Sequence, residues 1–248
     1  MNLFDLSGKS AIVTGTSGKL GPVWVETLLN ANARVHPLDL PEYDVGKIED
    51  VQKFDTYLMF KNGCVVSASC GPFRREPKSI PNIIINNAGI DNPPGSDASF
   101  FGNCEEILHV NLQGAVNMCE VFIPDMIKNG GGVIVNIGSI QGNIGADWRN
   151  YPDKFEKPVG YNLSKAGLIQ LSRSITVQYG RYNIRAVTIA FGPYDMGLDD
   201  TFKDKFLKNV PLGRCISKES LQTTLLYAIC CPELAGQQVL VDAGYTAW

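Results

Sequence analysis

The most constraining stretch of this chain runs from Ser10-Ala11-Ile12-Val13 into Thr14-Gly15-Thr16-Ser17-Gly18-Lys19-Leu20-Gly21, then through a helical pattern to Asn30. A strand-length apolar run, a glycine-rich turn and a helix in direct succession bring backbone N–H groups and a helix N-terminus to where a pyrophosphate would sit. Glycine lets that backbone turn and approach a ligand without the clash of a Cβ. The next apolar segment, Ala33 to Leu38, reads as a second strand and ends at Asp39, eighteen positions after Gly21. A carboxylate there suits a grip on the adenine-ribose hydroxyls and repels a 2′-phosphate, which favours NAD over NADP. Two plainer facts stand beside this. A glycine turn after a strand is common, and Asp39 ahead of Leu40-Pro41 also fits an ordinary turn. Lys19, a cation inside the loop, suits phosphate of either cofactor.

With 248 residues and a net charge of −3, the chain is expected to form a single domain over residues 1–248 with one full core. Slight acidity without a Lys/Arg-rich run argues against nucleic acid or a membrane surface as partner. No apolar segment approaches a membrane span, and Met1 to Asp5 lacks the basic start and apolar stretch of a signal peptide, so the expected location is cytoplasmic. Seven cysteines without a Cys-x-x-Cys pair, and only two histidines, His36 and His109, point to reduced thiols and no metal site.

Further along, apolar runs alternate with amphipathic ones. The 41–81 segment allows two readings. Either Ile48 to Lys61 is a helix and Cys64 to Ala68 a third strand, or Tyr43-Asp44-Val45 ends that strand and 64–80 is an irregular insertion; the first is preferred. Asn82 to Gly89 reads as a buried parallel-type strand ending in Asn86-Asn87-Ala88-Gly89, a turn where backbone can come close to a flat ligand while the amides brace adjacent loops. A helix is predicted over roughly Phe101 to Lys128 with Asn111 inside it. Asparagine is unfavourable there unless its amide holds a water or bends the helix; otherwise it is a tolerated polar position. Gly132 to Ser139 is the fifth strand, and Ser139 falls at its carboxyl end, where ligands bind in open parallel sheets.

Tyr161-Asn162-Leu163-Ser164-Lys165 opens a helical pattern reaching about Gly180. A tyrosine and a lysine four positions apart share one helix face, so a phenol and an ammonium can address one reacting atom. A nearby cation favours the phenolate, and a phenol tuned in this way exchanges a proton with an alcohol or carbonyl oxygen. The same spacing also arises on solvated helices.

Taken together, Thr14-Gly15 with Gly18 and Gly21, Asp39, Asn86 to Gly89, Asn111, Ser139, Tyr161-x-x-x-Lys165 and the ending Gly236 to Gly244 resemble the classical short-chain dehydrogenase/reductases over essentially the whole chain. The resemblance implies a Rossmann-type, doubly wound α/β fold with a seven-stranded parallel sheet and helices on both faces. It also implies a homo-oligomer, dimer or tetramer. Tyr161 is then the general acid/base, Ser139 orients the substrate oxygen, Lys165 lowers the Tyr161 pKa and bonds the nicotinamide ribose, and Asn111 helps hold a proton-relay water. The expected NAD site comprises Gly15, Ser17, Gly18, Lys19, Leu20, Gly21, Asp39, Leu40, Asn87, Ala88, Gly89, Tyr161, Lys165 and Gly192. Substrate is expected at Ser139, Gln141, Trp148, Arg149 and Tyr161. The implied reaction interconverts a secondary alcohol and a ketone.

Three departures stand out. Lys19 occupies the place of the middle glycine, a spacing similar to that of the extended branch, which includes sugar epimerases and dehydratases. Ala190-Phe191-Gly192-Pro193-Tyr194 replaces the usual Pro-Gly after the sixth strand, without the threonine that anchors the carboxamide. Together these leave a non-catalytic dinucleotide-binding member of the fold open. Ser139 and Tyr161 are twenty-two positions apart, a surplus containing Asp147, Trp148, Arg149, Tyr151, Lys154 and Glu156. Such a loop suits a polar, sugar-like or acidic substrate, or else forms a solvated loop or a subunit contact. It is similar to insertions in short-chain oxidoreductases of bacterial surface-polysaccharide and acidic-sugar pathways. The stretch from Tyr194 through Phe202 to Leu207 reads as a substrate-covering lid hinged at Gly192 and Gly197, or as a rigid surface helix.

Overall fold

A computed structural model describes residues 3–61, 80–92 and 99–248. Strand β1 (Ser10–Thr14) leads through the glycine turn into helix α1 (Gly21–Asn30), followed by β2 (Arg34–Leu38) and α2 (Ile48–Lys61). After β3 (Ile83–Asn86) come α3 (Cys104–Leu108), a π-helical turn (His109–Gln113) and α4 (Gly114–Lys128). The second half runs β4 (Gly132–Ile137), α5 (Val159–Tyr179), β5 (Ile184–Phe191), α6 (Asp200–Leu207), α7 (Lys218–Cys230) and β6 (Gln238–Val241). All five pairings are parallel, in the order β2-β1-β3-β4-β5-β6. The sheet therefore has six strands among the described residues, not seven. The expected third strand over 64–68 lies outside the described residues, and Tyr43-Asp44-Val45 is not a strand.

Both faces of the sheet are buried, which is why its strands read as unbroken apolar runs. Successive side chains point to opposite faces. Ala11 and Val13 join Ile83, Ile85, Val187 and Ile189 under Trp24 and Leu28 of α1 and Leu221 and Leu225 of α7. Ile12, Ile84 and Ile134 face the other way, against Phe54 and Leu58 of α2 and Met118 and Phe122 of α4. Removing a fully buried aromatic such as Phe122 from such a layer costs about 3–5 kcal/mol.

Several polar groups inside this core form one connected network. Asn86 donates to Asn136 Oδ1 at 2.8 Å, Asn136 donates to Ser172 Oγ at 2.9 Å, and Ser172 and Thr188 share a hydrogen bond of 2.8 Å. This chain of amides and hydroxyls ties β3, β4, α5 and β5 together beneath the site. Strand β1 lies between β2 and β3, so the chain reverses its direction of travel across the sheet there. In doubly wound sheets the crevice beyond the strand ends at that reversal is where ligands bind.

Candidate active site

The glycine turn meets the β3 turn at this reversal. Gly15 has φ +65°, and a Cβ on it would lie 2.7 Å from Ala88 Cα. A Cβ on Gly21 would come within 2.5 Å of Gly15 O and Thr16. Gly18 is less constrained, since its Cβ would meet only Gly15 O at 3.3 Å. The altered spacing with Lys19 thus leaves the two sterically required glycines in place; Lys19 is exposed. Helix α1 starts without a side-chain cap, so no side chain competes for its N-terminal N–H groups, as a dinucleotide cradle requires.

Asp39 closes the far end of this cradle. Its Oδ2 accepts from Thr16 Oγ1 at 3.1 Å and from the Ser17 backbone N–H, and Oδ1 accepts from Leu40 N at 2.9 Å. Burial raises the carboxyl pKa, but the Ser17, Thr16 and Leu40 hydrogen bonds outweigh it, and the net shift is downward. Leu40 itself is exposed.

Asn87 acts on protein rather than facing outward. Its Nδ2 donates to Thr14 O and Gly15 O, both at 2.9 Å, and its Oδ1 accepts from Trp24 Nε1 at 2.7 Å. The backbone N–H groups of Asn87 and Ala88 both donate to Thr14 Oγ1. This is the bracing role expected of the turn amides. Gly192 is required by packing, because a Cβ there would lie 2.8 Å from Asp242 Cα.

The reacting group expected from the sequence assembles at the carboxyl end of β4. Ser139 is extended (φ −154°) and caps a short 3-10 turn, its Oγ accepting from Gln141 N at 3.2 Å. The Ser139 side chain also stands close enough to the Tyr161 phenol to favour its ionised form. One helical turn on, Lys165 is buried, with 6% exposure, and donates from Nζ to Ile137 O at 2.8 Å. That ammonium lies 5.4 Å from the Tyr161 ring centroid. The Tyr161 pKa is shifted opposite to the expected lowering. Burial pushes the phenol up, Asp91 adds to the rise, and the nearby Ser139 hydroxyl only partly opposes it. Burial likewise depresses Lys165 to about 8 despite the nearby Asp91. The physical reason is shared: both groups lie where solvent cannot stabilise charge, so each favours its neutral form.

Asn111 falls in the π-helical turn, a feature that interrupts the helix expected over Phe101 to Lys128; that helix begins only at Cys104. Its amide clamps Ile90 from both sides, Oδ1 accepting from Ile90 N at 2.7 Å and Nδ2 donating to Ile90 O at 2.9 Å. Nδ2 also donates to Ser164 Oγ at 3.2 Å, and that hydroxyl donates to Tyr161 O at 2.7 Å. Asn111 thus links the β3 turn to the backbone of Tyr161. Ser164, fully buried between Tyr161 and Lys165, escapes a reading focused on acid and base.

The surplus segment reaches the site through residues other than those expected. Trp148 is 79% exposed, and Arg149 turns to its own neighbour Asp147 at 2.8 Å, so neither is brought to Tyr161. A 3-10 turn over Trp148–Asn150, capped by Asp147, directs them outward. Tyr151 is buried instead and accepts from Gln141 Nε2 at 2.9 Å, while burial raises its phenol to about 12. Gln141 Oε1 is buried and has no hydrogen-bond partner. Lys157 Nζ stands 4.7 Å from the Tyr161 ring centroid, nearer than Lys165, and is ion-paired with Asp91. Neither Asp91 nor Lys157 was singled out by motif; the signal was a charge just beyond the Asn86 to Gly89 turn and another at the end of the surplus segment.

The sequence profile described as short chain dehydrogenase matches residues 80–205. A 3-oxoacyl-[acyl-carrier-protein] reductase, FabG, of Chlamydia trachomatis serovar D is 31% identical over 98% of this chain and 89% of its own length. The NADH-dependent L-xylulose reductase of Ambrosiozyma monospora is 26% identical, covering 99% of this chain and 97% of that one. Among solved structures, a short chain dehydrogenase from Leptospira borgpetersenii serovar Hardjo-bovis with bound NAD+ superposes with a TM-score of 0.77, at 23% identity, over 98% of this chain and 95% of that chain. With the doubly wound parallel sheet and a full-length relative above 30% identity, the chain belongs to the short-chain dehydrogenase family, as an oxidoreductase of alcohols and ketones that uses a nicotinamide dinucleotide.

Proposed function

We propose that this protein is an NAD(H)-dependent oxidoreductase that interconverts a secondary alcohol and a ketone on a polar, sugar-like substrate. The observation that carries the reading is the convergence of the Ser139 hydroxyl and the Tyr161 phenol at the end of β4, with buried Lys165 one turn away. When bound, the nicotinamide supplies or accepts the hydride. Tyr161 holds a proton for the substrate oxygen, and Ser139 fixes that oxygen by hydrogen bond. Because the Tyr161 pKa is raised, the resident form at neutral pH is the neutral acid, which suits ketone reduction. Asn111 and Ser164 hold the Tyr161 backbone in place. The glycine turn and the free start of α1 hold the pyrophosphate, and Asp39 receives the ribose hydroxyls.

Two features support a polar substrate: the buried, unpaired Gln141 Oε1, an acceptor for a substrate hydroxyl, and the charged pair beside Tyr161. NAD over NADP rests on the Asp39 carboxylate, which would repel a 2′-phosphate; the xylulose reductase relative is named as NADH-dependent. We further assign the protein to the cytoplasm as a single domain and a homo-oligomer. In support, no helix among the described residues is long and apolar enough to cross a membrane, and α5 leaves Leu163 and Val177 exposed by 51% and 86%.

The test is a titration with NADH and NADPH on wild type and Asp39→Ala, followed by turnover on polyols and ketoses with Tyr161→Phe as control. Preferential NADH binding that Asp39→Ala removes, with turnover lost in Tyr161→Phe, is the expected result. Turnover unchanged in Tyr161→Phe would overturn it.

A further inference from the structure

The family reading leaves one charged pair beside the site without a role: Asp91, two residues beyond the Asn86 to Gly89 turn, and Lys157, at the end of the surplus segment. The Lys157 side chain is 9% exposed and that of Asp91 36% exposed, so the carboxylate opens outward while the ammonium is enclosed. Asp91 Oδ1 accepts from Asn92 N at 2.8 Å and Oδ2 accepts from Lys157, which lies over the Tyr161 ring. The Asp91 charge is felt at Tyr161, Lys165 and Tyr151 alike.

A loop fastener is a poor account of this pair. Enclosing the Lys157 ammonium offsets much of the attraction between the two. The segment is also fastened already: Glu156 Oε2 accepts from Phe100 N at 2.9 Å, and Val159 N donates to Phe100 O at 2.8 Å. The pair instead presents an acceptor and a donor side by side at the reacting phenol. A hydroxyl satisfies both at once, donating to Asp91 and accepting from Lys157. A carboxylate uses only Lys157 and is repelled by Asp91, and an alkyl chain would desolvate both charges with nothing in return.

Building on the oxidoreductase reading above, we infer that Asp91 and Lys157 form a hydroxyl-binding subsite that selects substrates bearing a second hydroxyl on the carbon next to the reacting one. The second hydroxyl sits against the ion pair and bonds to both side chains, while the first is held by Ser139 and Tyr161. Asp91 and Lys157 are thus specificity-determining residues, and a vicinal diol or α-hydroxyketone is the matching class.

The experiment measures binding of cis-cyclohexane-1,2-diol, cyclohexanol and cyclohexanecarboxylate to the intact protein saturated with NADH, read from the fluorescence of the bound cofactor. With NADH no oxidation of the alcohols occurs, so affinities are measured at rest. The diol is expected to bind about tenfold tighter than cyclohexanol, the effect of one further charge-assisted hydrogen-bonded group. That preference should shrink to within about twofold in both Asp91→Asn and Lys157→Met, and Lys157→Arg should recover part of it. NADH affinity and melting temperature serve as controls for folding, which Asp91→Asn disturbs least. A purely structural pair would weaken all three probes together.

Equal affinity for diol and cyclohexanol in wild type, lack of binding of both included, overturns the subsite, as does a preference that survives both substitutions. Tightest binding of the carboxylate, lost in Lys157→Met alone, overturns it in favour of an anion site. Failure to bind NADH at all would strike the oxidoreductase reading beneath it instead.

Discussion

Replacing Lys165 by methionine should make the protein more stable near neutral pH while removing its activity. Lys165 is 6% exposed, and its pKa is depressed from the usual 10.5 to about 8, with burial the leading cause. Holding it charged in the fold therefore costs about 3 kcal/mol at pH 7 and about 2 kcal/mol at pH 9. The sign follows from proton uptake: between pH 8 and 10.5 the unfolded chain binds more protons than the folded one, so wild-type stability rises with pH through that window. Methionine has similar length and no charge. Losing the bond to Ile137 O gives back about 1 kcal/mol. The variant should then be about 2 kcal/mol more stable at pH 7, with the difference narrowing by about 1 kcal/mol by pH 9. Urea unfolding of both proteins across that pH range, with NADH-linked turnover measured in parallel, checks this. A variant less stable than wild type by the same amount at every pH would refute the reasoning, because it would mean that the buried ammonium carries no desolvation penalty.

Gly15→Ala should destabilise by about 1–3 kcal/mol and weaken NADH binding, through its left-handed φ and the contact with Ala88, whereas Gly18→Ala should bind NADH within a few-fold of wild type. Parallel NADH titrations and thermal melts separate the two. Tyr161→Phe should lower turnover by roughly 10²-fold or more yet cost only about 1 kcal/mol of stability, since it removes a single hydroxyl beside Ser139; kcat and urea unfolding on one preparation test both halves. In ketone reduction, wild-type rate should fall as pH rises past about 8, where Lys165 loses its proton, and before Tyr161 ionises. A rate flat to pH 10 in a steady-state profile would contradict this ordering. Phe206→Ala should destabilise by about 3 kcal/mol, because the ring is buried and stacked on Tyr245 at 4.3 Å; chemical denaturation measures it.

What could be read from the sequence was whatever short-range pattern governs. The β1 turn into α1, the helix over Tyr161 and Lys165, and Ser139 at a strand end each depend on residues within a few positions of one another, and each is found where expected. Asn111 was legible as an anomaly, and the π-helical turn gives that anomaly a form. Pairs across long sequence separations were not legible. Asp91 meets Lys157 across sixty-six positions, and the Asn86 to Ser172 network joins three elements. Trp148 and Arg149 are a local case instead: an aromatic and a cation in a loop suggest a ligand, but the Asp147 cap satisfies Arg149 and turns Trp148 to solvent.

The covering of the site follows from those long-range contacts. A lid hinged at Gly197 would swing α6 alone, and that glycine does have the required freedom, with φ +82° and open space around it. Yet Phe202 of α6 packs on Tyr151 at 5.2 Å, and Phe206 stacks on Tyr245 near the C-terminus. Lys205 Nζ donates to Tyr151 O, Asn209 to Asn150 Oδ1, and Asn150 to the Tyr245 hydroxyl. Each aromatic pair contributes about 0.5–1.5 kcal/mol beyond burial, so parting α6 from both partners leaves the open form a small minority. The surplus segment, α6 and the C-terminal residues consequently move together or not at all. Since Tyr151 belongs to that body and bonds Gln141 beside Ser139, any motion that admits substrate also rearranges the polar wall against which the reacting oxygen is held.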